Sequence, residues 1–258
     1  MSRAHRIALV AIGAAAVCAA AGWIALGAAS ASPTPPPASI GDAMNRTLPT
    51  SISELPLVDQ AGRHVTLADF RGKVVFFAPF LTSCQEECPI TTGALLSIKR
   101  TLAVDGLSTR VMIAEITVDP GRDTPSRLSA YARETGADLT YLTASSADVA
   151  RLWHYFGIYY QKVPEGSPPG IDWQTHQPYT YDIDHSDGFV VLDAHLHERF
   201  IAAGMVRVAS IPRSLRSLLD RQGVSNLSHP GGGSWSVPEG LDAIGWVLGQ
   251  PVPVRPAG

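Results

Sequence analysis

The sequence predicts an α/β fold in which a central mixed sheet carries helices on both faces. Two uninterrupted apolar runs, residues 73–80 and 111–118, have the length and composition of buried strands. Between these runs, Leu95, Ile98 and Leu102 recur at helical spacing. The order strand, helix, strand therefore predicts a parallel pair of strands joined by a crossover helix.

Turn residues and periodicity predict the remaining elements. Residues 55–58 and 64–67 flank a turn that contains Gly62, which predicts an N-terminal hairpin. Further along the chain we expect helices at 125–135 and 147–156, a short strand at 139–142, an antiparallel hairpin of 189–192 with 199–203, and a last domain helix at 214–221. The antiparallel hairpin makes the predicted sheet mixed.

The N-terminus has the features of an export signal. Arg3 and Arg6 precede a long apolar stretch that ends at residues 29–31. Residues 1–31 are therefore either a cleaved signal peptide or a membrane anchor, since the stretch is long enough to span a bilayer. Because the arginines stay on the cytoplasmic side, we expect the rest of the chain outside the cytoplasm, in the periplasm or cell envelope.

Composition divides the rest of the chain into three parts. Residues 32–47 are rich in proline and serine and predict an extended linker. Residues 48–223 predict one folded domain of ordinary size. Residues 224–258 predict a Gly- and Pro-rich C-terminal extension, in which 238–248 has the pattern of a short amphipathic helix.

Charge and motif content exclude several functions. The formal net charge is -3, and no basic stretch is interleaved with aromatic residues, so nucleic acid is not expected as a partner. The sequence also lacks a glycine-rich phosphate loop, a serine nucleophile elbow and a paired-carboxylate motif. Nucleotide-binding and hydrolase functions therefore have no support.

Two cysteines after the first apolar run carry the clearest chemical signal. Cys84 and Cys88 lie where the predicted strand passes into a helix, and the third cysteine, Cys18, falls within the leader. Cysteines four residues apart lie on one face of a helical turn and can converge on one atom or on each other. A helix N-terminus favours the thiolate, whereas the adjacent Glu86 and Glu87 are expected to raise the thiol pKa values.

Export leaves three interpretations of this cysteine pair. Outside the cytoplasm two cysteines usually oxidise to a structural disulfide, unless they are kept reduced or hold a metal. As a redox pair, the more exposed Cys84 would attack a partner's disulfide and Cys88 would resolve the mixed species. As metal ligands, the two thiolates would bind a soft ion.

Four short motifs in a fixed order resemble the Sco/SenC family of copper-binding proteins. The motifs are Leu-Ala-Asp-Phe-Arg-Gly-Lys at 67–73, Cys-Gln-Glu-Glu-Cys-Pro at 84–89, Thr-Val-Asp-Pro-Gly-Arg-Asp-Thr-Pro at 117–125, and Asp-His-Ser at 184–186. The resemblance implies a thioredoxin-like fold. It also implies that Cys84, Cys88 and His185 bind copper, and that the protein supplies copper to cytochrome c oxidase.

The chemistry of this ligand set agrees with copper. Two soft thiolates suit Cu(I), and one imidazole completes a three-coordinate shell that zinc, which prefers four ligands, would find incomplete. We therefore interpret the protein as an extracytoplasmic copper chaperone for Cu(I) or Cu(II). The implied partner is the copper-site subunit of cytochrome c oxidase or another copper-site protein, and thiol-disulfide exchange with partner cysteines is the alternative function.

Several residues near His185 are candidates for a supporting role. Asp119, Asp182 and Asp184 could each orient its imidazole, and the alternative for each is a capping or solvated turn residue. The loop at 164–181 is long for a compact domain, and loops of that length often form lids or partner-binding surfaces.

Overall fold

The computed structural model describes residues 33–230 and 235–254. The predicted leader, residues 1–31, lies outside the described residues. Within those two ranges, no helix is both long enough and apolar enough to cross a bilayer.

The described part of the chain forms a large mixed sheet and two small ladders. Its strands are β1 (Gly41–Thr47), β2 (Leu57–Asp59), β3 (His64–Val65), β4 (Val74–Phe80), β5 (Val111–Thr117), β6 (Thr140–Thr143), β7 (Tyr160–Val163), β8 (Asp182–His185), β9 (Gly188–Leu192), β10 (His197–Ala203), β11 (Val206–Arg207) and β12 (Trp235–Ser236). The large sheet has the strand order β1-β10-β9-β4-β5-β6-β2-β3 among the described residues. β7 pairs with β8, and β11 pairs with β12.

The centre of the sheet consists of the two apolar runs. β4 pairs parallel with β5, with Val74 opposite Val111 and Phe80 opposite Thr117. On its other side β4 pairs antiparallel with β9, which confirms the mixed sheet. All seven residues of β4 are buried, as expected for a strand covered on both faces. The N-terminal hairpin is also confirmed, since β2 pairs antiparallel with β3.

Helices connect the strands and cover the sheet. They are α1 (Thr50–Ser53), α2 (Cys88–Val104), α3 (Pro125–Thr135), α4 (Ser146–Phe156), α5 (Arg213–Arg216), α6 (Arg221–Ser228) and α7 (Val237–Leu248). Thr124 and Ser145 cap the N-termini of α3 and α4 through their side chains. Gly136 and Gly157 end the same helices in the left-handed conformation. The limits of α3 match the prediction because these cap signals are local.

Both faces of the sheet are covered because neighbouring residues of β4 point to opposite sides. Phe76 packs against Trp235, just before α7, with the ring centroids 6.2 Å apart. Phe77 packs on the other side against two residues of α4, Trp153 at 5.9 Å and Phe156 at 5.2 Å between centroids. The predicted arrangement of helices on both faces is therefore confirmed.

The N-terminal linker is shorter than the predicted 32–47. β1 pairs antiparallel with β10, with Gly41 opposite Ala202 and Thr47 opposite His197, so residues 41–47 belong to the sheet. Most β1 side chains are exposed. This edge strand is held mainly by backbone hydrogen bonds, so it carries no apolar alternation that could mark it.

The C-terminal extension packs onto the domain and is not a tail in the described residues. Trp235 is 1% exposed, and Leu241 and Ile244 of α7 are fully buried. The prediction of a domain that ends at residue 223 was therefore wrong. The high glycine and proline content obscured these few apolar residues, each of which is buried against the sheet or against α2.

The helix predicted at 214–221 is two helices. α5 ends at Arg216, and α6 begins at Arg221. The division falls at Asp220, whose side chain accepts the backbone N–H of Gly223 at 2.7 Å and so starts a new helix.

Candidate metal centre

The two cysteines lie at the N-terminus of α2, directly after the end of β4. Cys88 is the first residue of α2 and is buried, whereas Cys84 in the preceding loop is partly exposed. The Cys84 sulfur accepts the backbone N–H of Glu87 at 3.4 Å and that of Cys88 at 3.3 Å. Because the side chain of the N-cap residue Glu87 does not cap the helix, the sulfur takes over this role and benefits from the helix dipole.

His185 completes the centre from the opposite side. It is the last residue of β8, opposite Tyr160 of β7. Its Nδ1 atom lies 3.1 Å from the carbonyl oxygen of Ser186. A carbonyl only accepts, so Nδ1 carries the proton and Nε2 keeps a free lone pair. Nε2 lies 3.7 Å from the Cys88 sulfur.

The three predicted ligands are therefore brought together. The two sulfur atoms and one imidazole nitrogen of Cys84, Cys88 and His185 all lie within 4.8 Å of one another. Both cysteines are free thiols. Two soft sulfur donors and one imidazole suit Cu(I), so the residues present fit the copper that the sequence predicts.

The three groups shift one another's proton affinities. A hydrogen bond from Cys88 lowers the pKa of Cys84 well below its usual value, with burial opposing and His185 adding to the effect. Burial, and then the bond to Cys84, raises the pKa of Cys88 well above its usual value. For His185, burial lowers the pKa, but the hydrogen bond and charge of Cys84 outweigh it and raise it. Loss of the proton is therefore favoured at Cys84 and opposed at Cys88.

The acidic pair Glu86 and Glu87 is expected to raise the thiol pKa values. For Cys84, the hydrogen bond from Cys88 is the largest effect, and the pKa is lowered overall. The pKa values of the two acids shift as well. Loss of solvent, followed by the negative charges of Cys84 and Asp220, raises the pKa of Glu86 to about 7.

A pocket of about 810 Å³ opens onto Cys84 and His185. Loop 164–181 supplies one wall and the segment before α6 another. Its acidic lining residues are Glu86, Glu87, Glu165, Asp182, Asp184, Asp187 and Asp220. Arg221 is the single lysine or arginine among the described lining residues. The metal centre is therefore reached through a strongly acidic opening.

The predicted supports of the imidazole are mostly elsewhere. Asp182 accepts the backbone N–H of Ile183 at 2.7 Å. The acid near the ring is instead Asp187, whose oxygen lies 4.0 Å from Nδ1 of His185. Sequence reasoning missed Asp187 and the Ser186 carbonyl. Both lie within two residues of His185 in the chain, and this proximity is the signal that could have found them.

Asp119 anchors the long loop and makes no described contact with His185. Its carboxylate is hydrogen-bonded by Arg122, and it accepts the hydroxyl of Tyr181 at 3.0 Å. Arg127 of α3 forms a 2.8 Å ion pair with Asp172, inside the loop. These contacts hold loop 164–181 beside the metal centre.

A buried acid lies behind the cysteine helix. Glu115 of β5 is fully buried, and its two carboxyl oxygens lie 3.0 and 3.1 Å from the hydroxyl of Thr92. The same hydroxyl lies 2.9 Å from the carbonyl oxygen of Cys88, so it connects the buried acid to the first turn of the cysteine helix. Burial raises the pKa of Glu115 to about 8. The one acid within the apolar run 111–118 is the signal that sequence reasoning missed.

The structure is an α/β domain with a mixed central sheet, and its cluster of two cysteines and one histidine fits a metal site. The model of the SCO1/SenC family matches residues 45–209. Since this match covers more than half of the chain, the chain belongs to the SCO1/SenC family.

The chain is also similar to individual proteins. The human protein named "Protein SCO2 homolog, mitochondrial" is 30% identical over 137 residues, which are 53% of this chain and 48% of that protein. A "Putative copper-binding protein" of Stutzerimonas stutzeri is 24% identical over 174 residues, 67% of this chain and 78% of that protein. The solved structure of Bradyrhizobium japonicum ScoI with copper bound has a TM-score of 0.48 and 24% identity, covering 69% of this chain and 96% of that chain. This chain spans about half the length of the mammalian relatives it matches.

Proposed function

We propose that this protein is an extracytoplasmic copper chaperone that delivers copper to the binuclear copper site of cytochrome c oxidase. The observation that carries the proposal is the convergence of Cys84, Cys88 and His185 within 4.8 Å at the end of an open pocket. Membership of the SCO1/SenC family and the similarity to the Stutzerimonas stutzeri protein named "Putative copper-binding protein" support it.

Each ligand has a distinct part in binding and release. Copper would bind through the sulfurs of Cys84 and Cys88 and through one ring nitrogen of His185. The partly exposed Cys84 faces the pocket, so an incoming ligand of a partner protein replaces it first. The buried Cys88 holds the ion until the partner's second ligand has bound. Transfer by such ligand exchange needs no free copper ion.

The acidic opening favours delivery in two ways. Its negative potential attracts copper ions and repels anionic chelators. A partner with a basic docking surface would also associate faster, since charge complementarity raises association rates more than affinity. The extracytoplasmic location rests on the apolar leader of the sequence.

A transfer experiment tests the proposal. Copper-loaded protein is mixed with the copper-free, soluble copper-site domain of the oxidase, and the absorption of the binuclear site is followed. We expect transfer by the wild type and its loss in His185→Ala and Cys84→Ser. His154→Ala is the matched control, since this histidine is exposed on α4 and lines no part of the pocket. A copper-loaded wild type that transfers none would contradict the proposal.

The alternative is a thiol-disulfide reductase, and the opposite pKa shifts of the cysteines favour it. The Cys84 thiolate attacks a partner's disulfide and releases one partner thiolate. Cys88 then attacks the mixed disulfide, gives up its proton and releases the second thiolate. The partner gains two electrons, and Cys84 and Cys88 end as a disulfide. Reduction that is lost in Cys84→Ser but kept in His185→Ala would identify this activity.

A further inference from the structure

A segment beyond the family match contacts the loop between the two cysteines. The match ends at residue 209, whereas α6 begins at Arg221. The backbone N–H of Asp220, just before α6, donates to the carbonyl of Gln85 at 2.9 Å. We propose that Asp220 and Gly223 are positioning residues that hold the 84–88 loop in its metal-binding conformation, an inference that rests on the proposed function of that site.

Gly223 allows the helix to come this close. A Cβ atom at this position would lie 2.3 Å from the carbonyl oxygen of Gln85 and 3.0 Å from Cα of Glu86. Atoms that are not bonded do not approach so closely, and both neighbours are backbone atoms that cannot rotate away. Any larger residue must displace either α6 or the loop, so the packing here depends on glycine.

Asp220 fixes the helix and the loop with two separate groups. Its side chain accepts the N–H of Gly223 at 2.7 Å and caps α6, while its backbone N–H binds Gln85. One turn further on, the Asn226 side chain lies 3.5 Å from the Glu87 carboxylate and is itself held by Gln222 at 2.8 Å. α6 therefore contacts the loop at both Gln85 and Glu87.

The loop is also held from the opposite side. The side-chain amide of Gln85 donates to the carbonyl of Ile171 at 3.2 Å. A Cβ atom at Gly170 would lie 2.7 Å from the Gln85 side-chain oxygen, so the Gln85 side chain packs closely against the backbone of Gly170. Gln85 is thus fixed by its backbone to one segment and by its side chain to another.

This restraint matters because the loop conformation sets the sulfur positions. The Cys84 sulfur accepts the N–H groups of Glu87 and Cys88 only while the chain between them keeps its turn. If α6 moved away, these two bonds would loosen and the distance between the two sulfurs would vary. Both copper affinity and the reduction potential of the cysteine pair depend on that distance.

A glycine variant and a matched glycine control test the inference. Gly223→Ala pushes α6 off the loop. Gly245→Ala creates a similar clash elsewhere, since its Cβ would lie 2.9 Å from the backbone oxygen of Gln250, and α7 lines no part of the pocket. We measure Cu(I) affinity by chelator competition and the reduction potential of the metal-free cysteine pair. Gly223→Ala should lose at least about tenfold in affinity and shift the potential, whereas Gly245→Ala should stay within about twofold.

A second pair of variants decides the case if Gly223→Ala fails to fold. Asp220→Ala and Asp220→Asn both remove the charge, but asparagine keeps an acceptor for the helix cap. Copper affinity and potential should change in Asp220→Ala and remain near wild type in Asp220→Asn.

Two results would overturn the inference: a folded Gly223→Ala with unchanged affinity and potential, or equal effects of the two Asp220 variants. A wild type that binds no copper would contradict the proposed function. The reduction potential of the metal-free cysteine pair would still test the positioning role of Asp220 and Gly223.

Discussion

Replacing Glu115 by glutamine should make the stability of this protein less sensitive to alkali. The folded protein holds the Glu115 proton up to a pKa of about 8, against a normal value of 4.5, because the side chain is buried. The unfolded chain releases that proton near pH 4.5. Between pH 4.5 and about pH 8, each rise of one pH unit therefore lowers the free energy of unfolding of the wild type by about 1.4 kcal/mol.

The sign and size follow from those two pKa values. Glu115 favours the folded state most strongly below pH 4.5, and this contribution is lost as the pH rises toward 8. Glutamine cannot ionise, so the free energy of unfolding of Glu115→Gln does not fall with rising pH for this reason. Between pH 5 and pH 8, the free energy of unfolding of Glu115→Gln should rise relative to wild type by about 3 to 4 kcal/mol.

Urea unfolding of the reduced, metal-free proteins at pH 5, 6, 7 and 8 measures this difference. Glu134→Gln provides the control, since it removes an exposed carboxylate from α3. Its stability relative to wild type should change little across the same range. A difference between Glu115→Gln and wild type that stays constant from pH 5 to pH 8 would refute the reasoning, because Glu115 would then be ionised in the folded protein.

Two further predictions concern the C-terminal segment and the thiols. Trp235→Ala should lower the free energy of unfolding by about 3 to 5 kcal/mol, because the Trp235 ring packs against Phe76 and Phe189. Urea unfolding measures this change, and an unchanged value would mean that the C-terminal segment does not stabilise the domain. Iodoacetamide should alkylate Cys84 before Cys88, and the alkylation rate of Cys84 should stay high below the pH at which ordinary thiols become unreactive. Mass spectrometry follows the labelling. Preferential labelling of Cys88 would contradict the assignment of the thiolate to Cys84.

The centre of the fold was predictable because its signals are local. β4 and β5 are apolar throughout, and α3 begins with Thr-Pro and ends before glycine. β1 was not predictable, since its place depends on pairing with β10 far along the chain. The packing of Trp235 and α7 was missed for a similar reason. Few apolar residues within a Gly- and Pro-rich sequence carry the contact, and their partners lie on β4 and β9.

The three residues that cluster in the candidate metal centre were predictable from the sequence, and their surroundings were not. Cys84 and Cys88 stand out by spacing, and His185 was identified through its short motif. The restraint on Gln85 by Asp220 joins positions 135 residues apart, and no local pattern marks such a contact. Ser186 follows His185 in the chain, so its contact with the imidazole could be expected from the sequence. The direction in which the ring faces depends on the pairing of β8 with β7, which only the structure gives.

Copper titration of the reduced protein tests the central claim most directly. Competition with a chromophoric Cu(I) chelator gives both the number of ions bound and the affinity. We predict one copper ion per chain for the wild type. His185→Ala should fold normally and bind at least about tenfold more weakly, because one of three donors is lost. A wild type that binds no copper, or a His185→Ala variant with unchanged affinity, would contradict the account.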